Sequence, residues 1–169
     1  MLPFYIPDFE VNLKIGKMIS LLNQLSFNRN ESPVLTLEKI ALFEFLSKHP
    51  YLLNRILHQK DKEMVEFIRS EIYSIEAQFP NRKKLYDLKE IKKILNILIV
   101  YGFADVKLKN GIDVYYQVTE EGKVYADMLK SAFFARMSVI FLKMKPLQSQ
   151  TFSNTNSLIE YYIKDGSKN

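Results

Sequence analysis

Gly102, Asn110-Gly111 and Thr119 stand at the joints between apolar-patterned stretches. That punctuation constrains the fold more than any other feature of the chain. Asp87, followed three residues later by Glu90, resembles a capping box, in which two side chains satisfy the free N–H groups of a helix start. The helix it opens runs through Ile91, Leu95 and Leu98 to Tyr101, with Gly102 as its C-terminal stop. Phe103–Leu108 and Ile112–Val118 read as two strands, joined at Asn110-Gly111 because both residues tolerate positive φ. Thr119 then caps a long helix from Glu120 to about Lys143, with Glu120 and Glu121 favourably placed at its positive end. Helix, glycine, hairpin and threonine-led helix is the order of a winged helix. The expected fold is mainly α with a small β-hairpin, a winged helix preceded by N-terminal helices.

Upstream, Val11, Ile15, Met18, Ile19, Leu22 and Leu25 recur at helical spacing and predict a helix over Phe9–Leu25. Asn28–Pro33 is a polar loop, and Thr36 caps a second helix over Leu37–Lys48. That helix is apolar around most of its circumference, which predicts burial on several sides. Pro50 suits the first turn of a short third helix over Tyr51–Leu57. A fourth is expected over Asp61–Ala77 with Met64, Phe67, Ile68, Ile72 and Ile75 inward, until Pro80 breaks it. After Pro146 the run QSQTFSNTNS reads as an extended linker, Ser157–Ile163 as a helical turn or a strand, and KDGSKN as a mobile tail. The 169 residues suffice for one well-packed domain. It divides into an N-terminal helical part (1–80), the winged-helix module (81–145), and a linker with a C-terminal docking segment (146–169).

Chemistry-bearing patterns are sparse. The absence of cysteine removes disulfides, thiolate metal sites and thiol catalysis. His49 and His58 have no carboxylate at a ligand-like spacing and read as surface or helix-end residues. The five glycines are too scattered to form a phosphate-cradling loop. Glu63 and Glu66 lie one turn apart beside Lys62 and Arg69, as on a solvated face. The expectation is a protein without catalytic residues, metal or cofactor. MLPFYIPDFEV lacks the layout of a signal peptide, and the apolar run around Ile94–Ala104 is too short to span a membrane. A cytoplasmic location follows as the expectation.

The charge is +5, and its distribution matters more than its size. Residues 82–93 carry six bases (Arg82, Lys83, Lys84, Lys89, Lys92, Lys93) against two acids (Asp87, Glu90), an excess of four. Lys89, Lys92, Lys93 and Asn96 fall on one helical face, where a DNA-binding winged helix meets the major groove. Lys107 and Lys109 in the wing fit contact with phosphates. Arginine, the usual reader of guanine edges, is missing from that face. The plain alternative is that an amphipathic helix must turn something charged to water. Phe133, Phe134, Met137 and Phe141 leave the last long helix apolar over most of its surface, so it finishes the core or docks on another chain. Leu158, Tyr161, Tyr162 and Ile163, at the end of the polar linker, either dock on a partner, as a second candidate for partner binding, or fold back on the chain.

LTLEKIALFEFLSKHPYLL (Leu35–Leu53), FPNRKKLYDLKEIKKILNILIVYGFADVKL (Phe79–Leu108) and YYQVTEEGKVYADML (Tyr115–Leu129) together resemble the middle component of bacterial three-component ABC systems. These are small accessory subunits of Lamassu-type defence operons, and the likeness covers about residues 5–145. It implies a role in anti-phage or anti-plasmid defence. The partners it implies are an SMC-like ABC ATPase and a nuclease-type effector subunit, with DNA contacted only in an auxiliary way. The strand-threonine-acid-acid-glycine-helix pattern also marks MarR-like and PadR-like winged-helix regulators, so a DNA-binding transcriptional regulator is the second expectation.

Overall fold

The computed structural model describes residues 10–68, 71 and 80–166. Among them are seven α-helices and one hairpin: α1 (Val11–Leu25), α2 (Leu37–Lys48), α3 (Pro50–Gln59), α4 (Leu88–Val100), β1 (Ala104–Lys109), β2 (Asp113–Val118), α5 (Glu120–Met128), α6 (Ala132–Met144) and α7 (Phe152–Gly166). Short 3-10 turns over Arg82–Tyr86 and Lys145–Leu147 lead into α4 and out of α6.

α1 sits at the centre, packed on α6, α5, α4 and β2. Ile19, Leu22 and Leu25 from α1 meet Leu46, Leu53, Leu98, Ile140 and Phe141 in a core closed to water. α2 buries Ile40, Ala41, Leu42, Phe43, Phe45 and Leu46, as its unpatterned apolar sequence requires. Thr36 caps it by accepting the Lys39 N–H.

α4 ends as expected. Gly102 has φ of 75°, the Phe103 N–H reaches the Leu98 carbonyl at 2.8 Å, and the Gly102 N–H reaches Ile99 at 3.0 Å. This pair of bonds satisfies carbonyls that the last helical turn leaves open. The strands pair in register from Ala104↔Val118 to Lys109↔Asp113, turning at Asn110 (φ 55°) and Gly111 (φ 73°). Leu35 adds one bridge on the far edge, accepting the Tyr116 N–H at 2.8 Å. Thr119 ties the hairpin to both flanking helices. Its hydroxyl donates to the Gly102 carbonyl at 2.6 Å and accepts from the Gly122 N–H at 3.0 Å.

The structure corrects five local expectations. Asp87 makes no side-chain cap: its own N–H is taken by the Lys84 carbonyl, and Glu90 turns instead to Lys14 of α1 at 2.8 Å. Tertiary pairing won over the local box. The helix expected over Glu120–Lys143 is two helices, broken at Leu129 and restarted by Ser131, which accepts the Phe134 N–H. A straight α5, which buries only Gly122, would leave the following apolar face in water. The break lets Met137, Ile140, Phe141 and Met144 enter the core.

Residues 62–68 are not helical, and Met64, Phe67 and Ile68 are exposed rather than inward. The Asn54 side chain holds the Val65 backbone through both its N–H (2.8 Å) and its carbonyl (2.7 Å), in place of a helical partner. Ile72 and Ile75 lie outside the described residues, as does Phe9.

The C-terminal run is not an extended linker. Gln148 is buried and donates to the Leu25 and Phe27 carbonyls at 2.7 and 3.2 Å, while its own carbonyl takes the Lys39 ammonium at 2.8 Å. α7 follows, with Thr155 and Ile159 buried and Phe152, Leu158, Tyr162 and Ile163 packed against the core. His49, read as a surface or helix-end residue, ends α2 but is buried, its Nδ1 2.8 Å from the Phe45 carbonyl.

One carboxylate couples the helices to pH. Glu44 of α2 lies 3.4 Å from Lys17 of α1 and 3.2 Å from Lys48. Burial pushes its carboxyl up, but the two ammonium groups together outweigh burial and hold it below its ordinary value. A depressed folded-state value stabilises the fold above the pKa of the unfolded chain, and that stability is lost as pH falls through the folded-state value. Glu44→Gln is therefore expected to cost about 1–2 kcal/mol at pH 7 and to cost progressively less in acid. Thermal melts of both proteins between pH 7 and 3 check this, and a deficit that does not shrink in acid contradicts it.

Candidate interaction surfaces

α4 has two unlike faces. Ile91, Ile94, Leu95 and Leu98 are buried, while Lys89, Lys92, Lys93 and Asn96 all lie exposed on the other side. With Ile97, Val100 and Tyr101 they line an open concavity of about 560 Å³. Among the described residues no carboxylate stands within ion-pairing distance of Lys89 or Lys92. The structure therefore assembles these four residues as the spacing predicts.

The other basic candidates disperse. Lys107 and Lys109 are exposed on the hairpin opposite Tyr115 and Asp113, on the face that turns away from buried Ala104, Tyr116 and Val118. Lys83 is exposed. Lys84 lines a separate groove between α1, α2 and α4, whose rim also carries Lys14, Lys17, Glu44 and Glu90. The side chain of Arg82 lies outside the described residues.

The apolar candidates divide likewise. Met137 and Phe141 are core residues and are withdrawn as a docking surface, because α6 turns them against α1. Phe134 is half-buried over Gly16, where an added Cβ would lie 2.5 Å from its ring. Phe133 stays partly exposed, edge-on to Phe134 at 5.2 Å. Leu158 and Ile163 pack against the core, and Tyr162 is held by Gln59 at 3.1 Å and by Arg55 stacked 4.4 Å over its ring. Of this second group Tyr161 alone is largely exposed.

The sequence reading missed a larger apolar surface. Tyr101, Phe103 and Tyr125 stack in a ladder, with centroids 6.0 and 4.6 Å apart, across the end of α4, the hairpin base and α5. Val100, Val124 and Met128 lie beside these residues in sequence at 85%, 64% and 70% exposure. On the hairpin, Val106 opposes Tyr116 and Leu108 opposes Val114, so one apolar face continues past the core until Leu108 is 63% exposed. The alternation Val106-Lys107-Leu108-Lys109 held that signal, since every second residue must point the same way. Exposed apolar side chains of this kind are candidates for association.

Among the described residues, no group of three or more His, Asp or Glu is placed to hold a metal ion, and no helix is long and apolar enough to cross a membrane. What fold and surfaces define, among the described residues, is a mainly helical protein with one hairpin, a lysine-faced helix and an aromatic ladder that starts at the end of that helix. The family model of the ABC-three component (ABC-3C) system Middle Component 4 matches residues 25–157, and the chain belongs to that family. The match takes in everything from the end of α1 to the first turns of α7. No curated protein and no solved structure matches it.

Proposed function

We propose that the chain is a non-enzymatic adaptor in a cytoplasmic, Lamassu-type anti-phage or anti-plasmid complex. It docks on an SMC-like ABC ATPase and a nuclease-type effector through the surface around its hairpin. Membership of a middle-component family supports the accessory role. The observation that carries the docking reading is the aromatic ladder Tyr101–Phe103–Tyr125, with Val124 and Met128 exposed on the same helix as Tyr125.

In this reading the module is a winged helix, with α4 in the recognition position and β1–β2 as the wing. The Leu35 bridge to Tyr116 supports it, standing where the third strand of such a sheet belongs. Lys89, Lys92 and Lys93 then contribute auxiliary, sequence-indifferent contact with phosphates of DNA held by the ATPase.

The test pairs two variants. Val124→Glu with Met128→Glu alters only exposed side chains, so stability should change by less than about 0.5 kcal/mol per site. Co-purification with the ABC ATPase of the same system should fall about tenfold or more. Undiminished co-purification sinks the docking surface. Lys89, Lys92 and Lys93 changed together to Glu should weaken duplex binding equally for unrelated sequences and flatten its salt dependence.

The exposed lysine face also favours a second reading, a MarR-like or PadR-like regulator. It predicts a homodimer that binds one palindrome far more tightly than other DNA, and no co-purifying ATPase.

A further inference from the structure

Away from α4, the loop after α1, the end of α3 and the turn after α6 enclose a groove of about 870 Å³. Arg29, Lys60, Lys62 and Lys145 line it, four cations brought together from three distant stretches of chain, and no carboxylate lines it. Glu31 and Asp61 are sequence neighbours of these bases, yet neither faces the groove. The groove between α1, α2 and α4 is built the opposite way, with Lys14 paired to Glu90, and Lys17 and Lys48 to Glu44. Among the described residues none of the four groove cations has a carboxylate at ion-pairing distance.

Gathering like charges in a concavity raises the local potential, and here the protein supplies no counter-charge. The walls are held in place. The Asn28 side chain accepts the N–H groups of Asn30 and Ser32, both at 3.0 Å, which fixes the loop that carries Arg29. Lys60 donates to a neutral acceptor, Gln150, at 3.2 Å, which positions its charge without neutralising it. Because the loop N–H groups of Asn30, Glu31 and Ser32 are spent internally, recognition falls to the cationic side chains. Lysine meets phosphate as a point charge and arginine as a fork. The volume lies within the roughly 300–1,000 Å³ of small-ligand sites.

We propose that this groove binds a chain of closely spaced phosphates, of the kind a nucleoside di- or triphosphate carries. With about one to two negative charges per phosphate, two or three phosphates balance the four cations. Phe27, Val34 and Pro146 offer apolar surface for the rest of the ligand. The site shares no residue with the α4 face, so it stands or falls separately from the docking reading.

Calorimetric titration of the full chain with sodium tripolyphosphate tests it. Salt-sensitive binding is expected, weakened about tenfold or more by Lys60→Gln with Lys145→Gln, and also by Lys62→Gln alone, a change at an exposed residue. Lys89→Gln on α4 should leave the affinity unchanged. Parallel titrations with ATP and with a short 5′-phosphorylated single-stranded oligonucleotide assign the source. Tighter binding of ATP marks a free nucleotide, and tighter binding of the oligonucleotide marks a strand terminus. Either upholds a phosphate site. Absence of tripolyphosphate binding at millimolar concentration overturns the proposal, as does an equal loss from Lys89→Gln.

Discussion

Gly122→Ala is expected to destabilise the protein by about 3 kcal/mol or more, lowering the melting midpoint by roughly 10 °C. Gly122 lies in the first turn of α5, where propensity alone predicts the opposite, since alanine usually improves a helix by up to about 1 kcal/mol. What reverses the sign is a backbone approach. An added Cβ would stand 2.1 Å from the Phe103 carbonyl oxygen and 2.8 Å from a Val118 methyl. The oxygen cannot swing aside, because it accepts the Thr119 N–H at 3.1 Å and so closes the base of the hairpin. α5 must retreat, and with it the Thr119 hydroxyl that bridges Gly102 and Gly122. Urea denaturation of both proteins measures the change. A variant as stable as the parent would show that α5 does not pack this closely on the hairpin.

The second large effect concerns the C-terminus. Removing residues 148–169 is expected to cost about 5 kcal/mol or more, near the whole stability of many domains of this size. The Leu25 and Phe27 carbonyls lose the buried Gln148 amide, and the Lys39 ammonium, whose pKa burial already lowers, loses its acceptor. Ile159 leaves a fully buried position, and Phe152, Leu158, Tyr162 and Ile163 no longer cover the core. The expected product is insoluble or melts without a sharp transition. Ile159→Ala offers a gentler version, at about 2–4 kcal/mol. A truncated chain with an unchanged melting midpoint would mean that α7 contributes nothing to the stability of the core.

The expectation of an extended linker over QSQTFSNTNS failed for an instructive reason. Phe152, Thr155, Ile159, Tyr162 and Ile163 do follow a helical stripe, but a threonine occupies one of its buried places. Counting apolar residues passes over such a stripe. Gln148 misleads in the same way: an amide reads as solvent-facing until two backbone carbonyls are found waiting for it. For Met137 and Phe141 the sequence left core and partner both open, and the chain covers them itself.

Where a residue's role is settled by its own backbone, the sequence was sufficient. The stop at Gly102, the turn at Asn110-Gly111, the cap at Thr119 and the shared face of Lys89, Lys92, Lys93 and Asn96 each depend on positive φ, one hydroxyl or a 3.6-residue period. Those are properties of short segments. Tertiary structure decided whatever needed a distant partner: that Glu90 answers Lys14 rather than Asp87, that the last long helix breaks at Leu129, and that four unneutralised bases converge on one groove. Charge and burial act through space, and only the folded chain sets which residues are near.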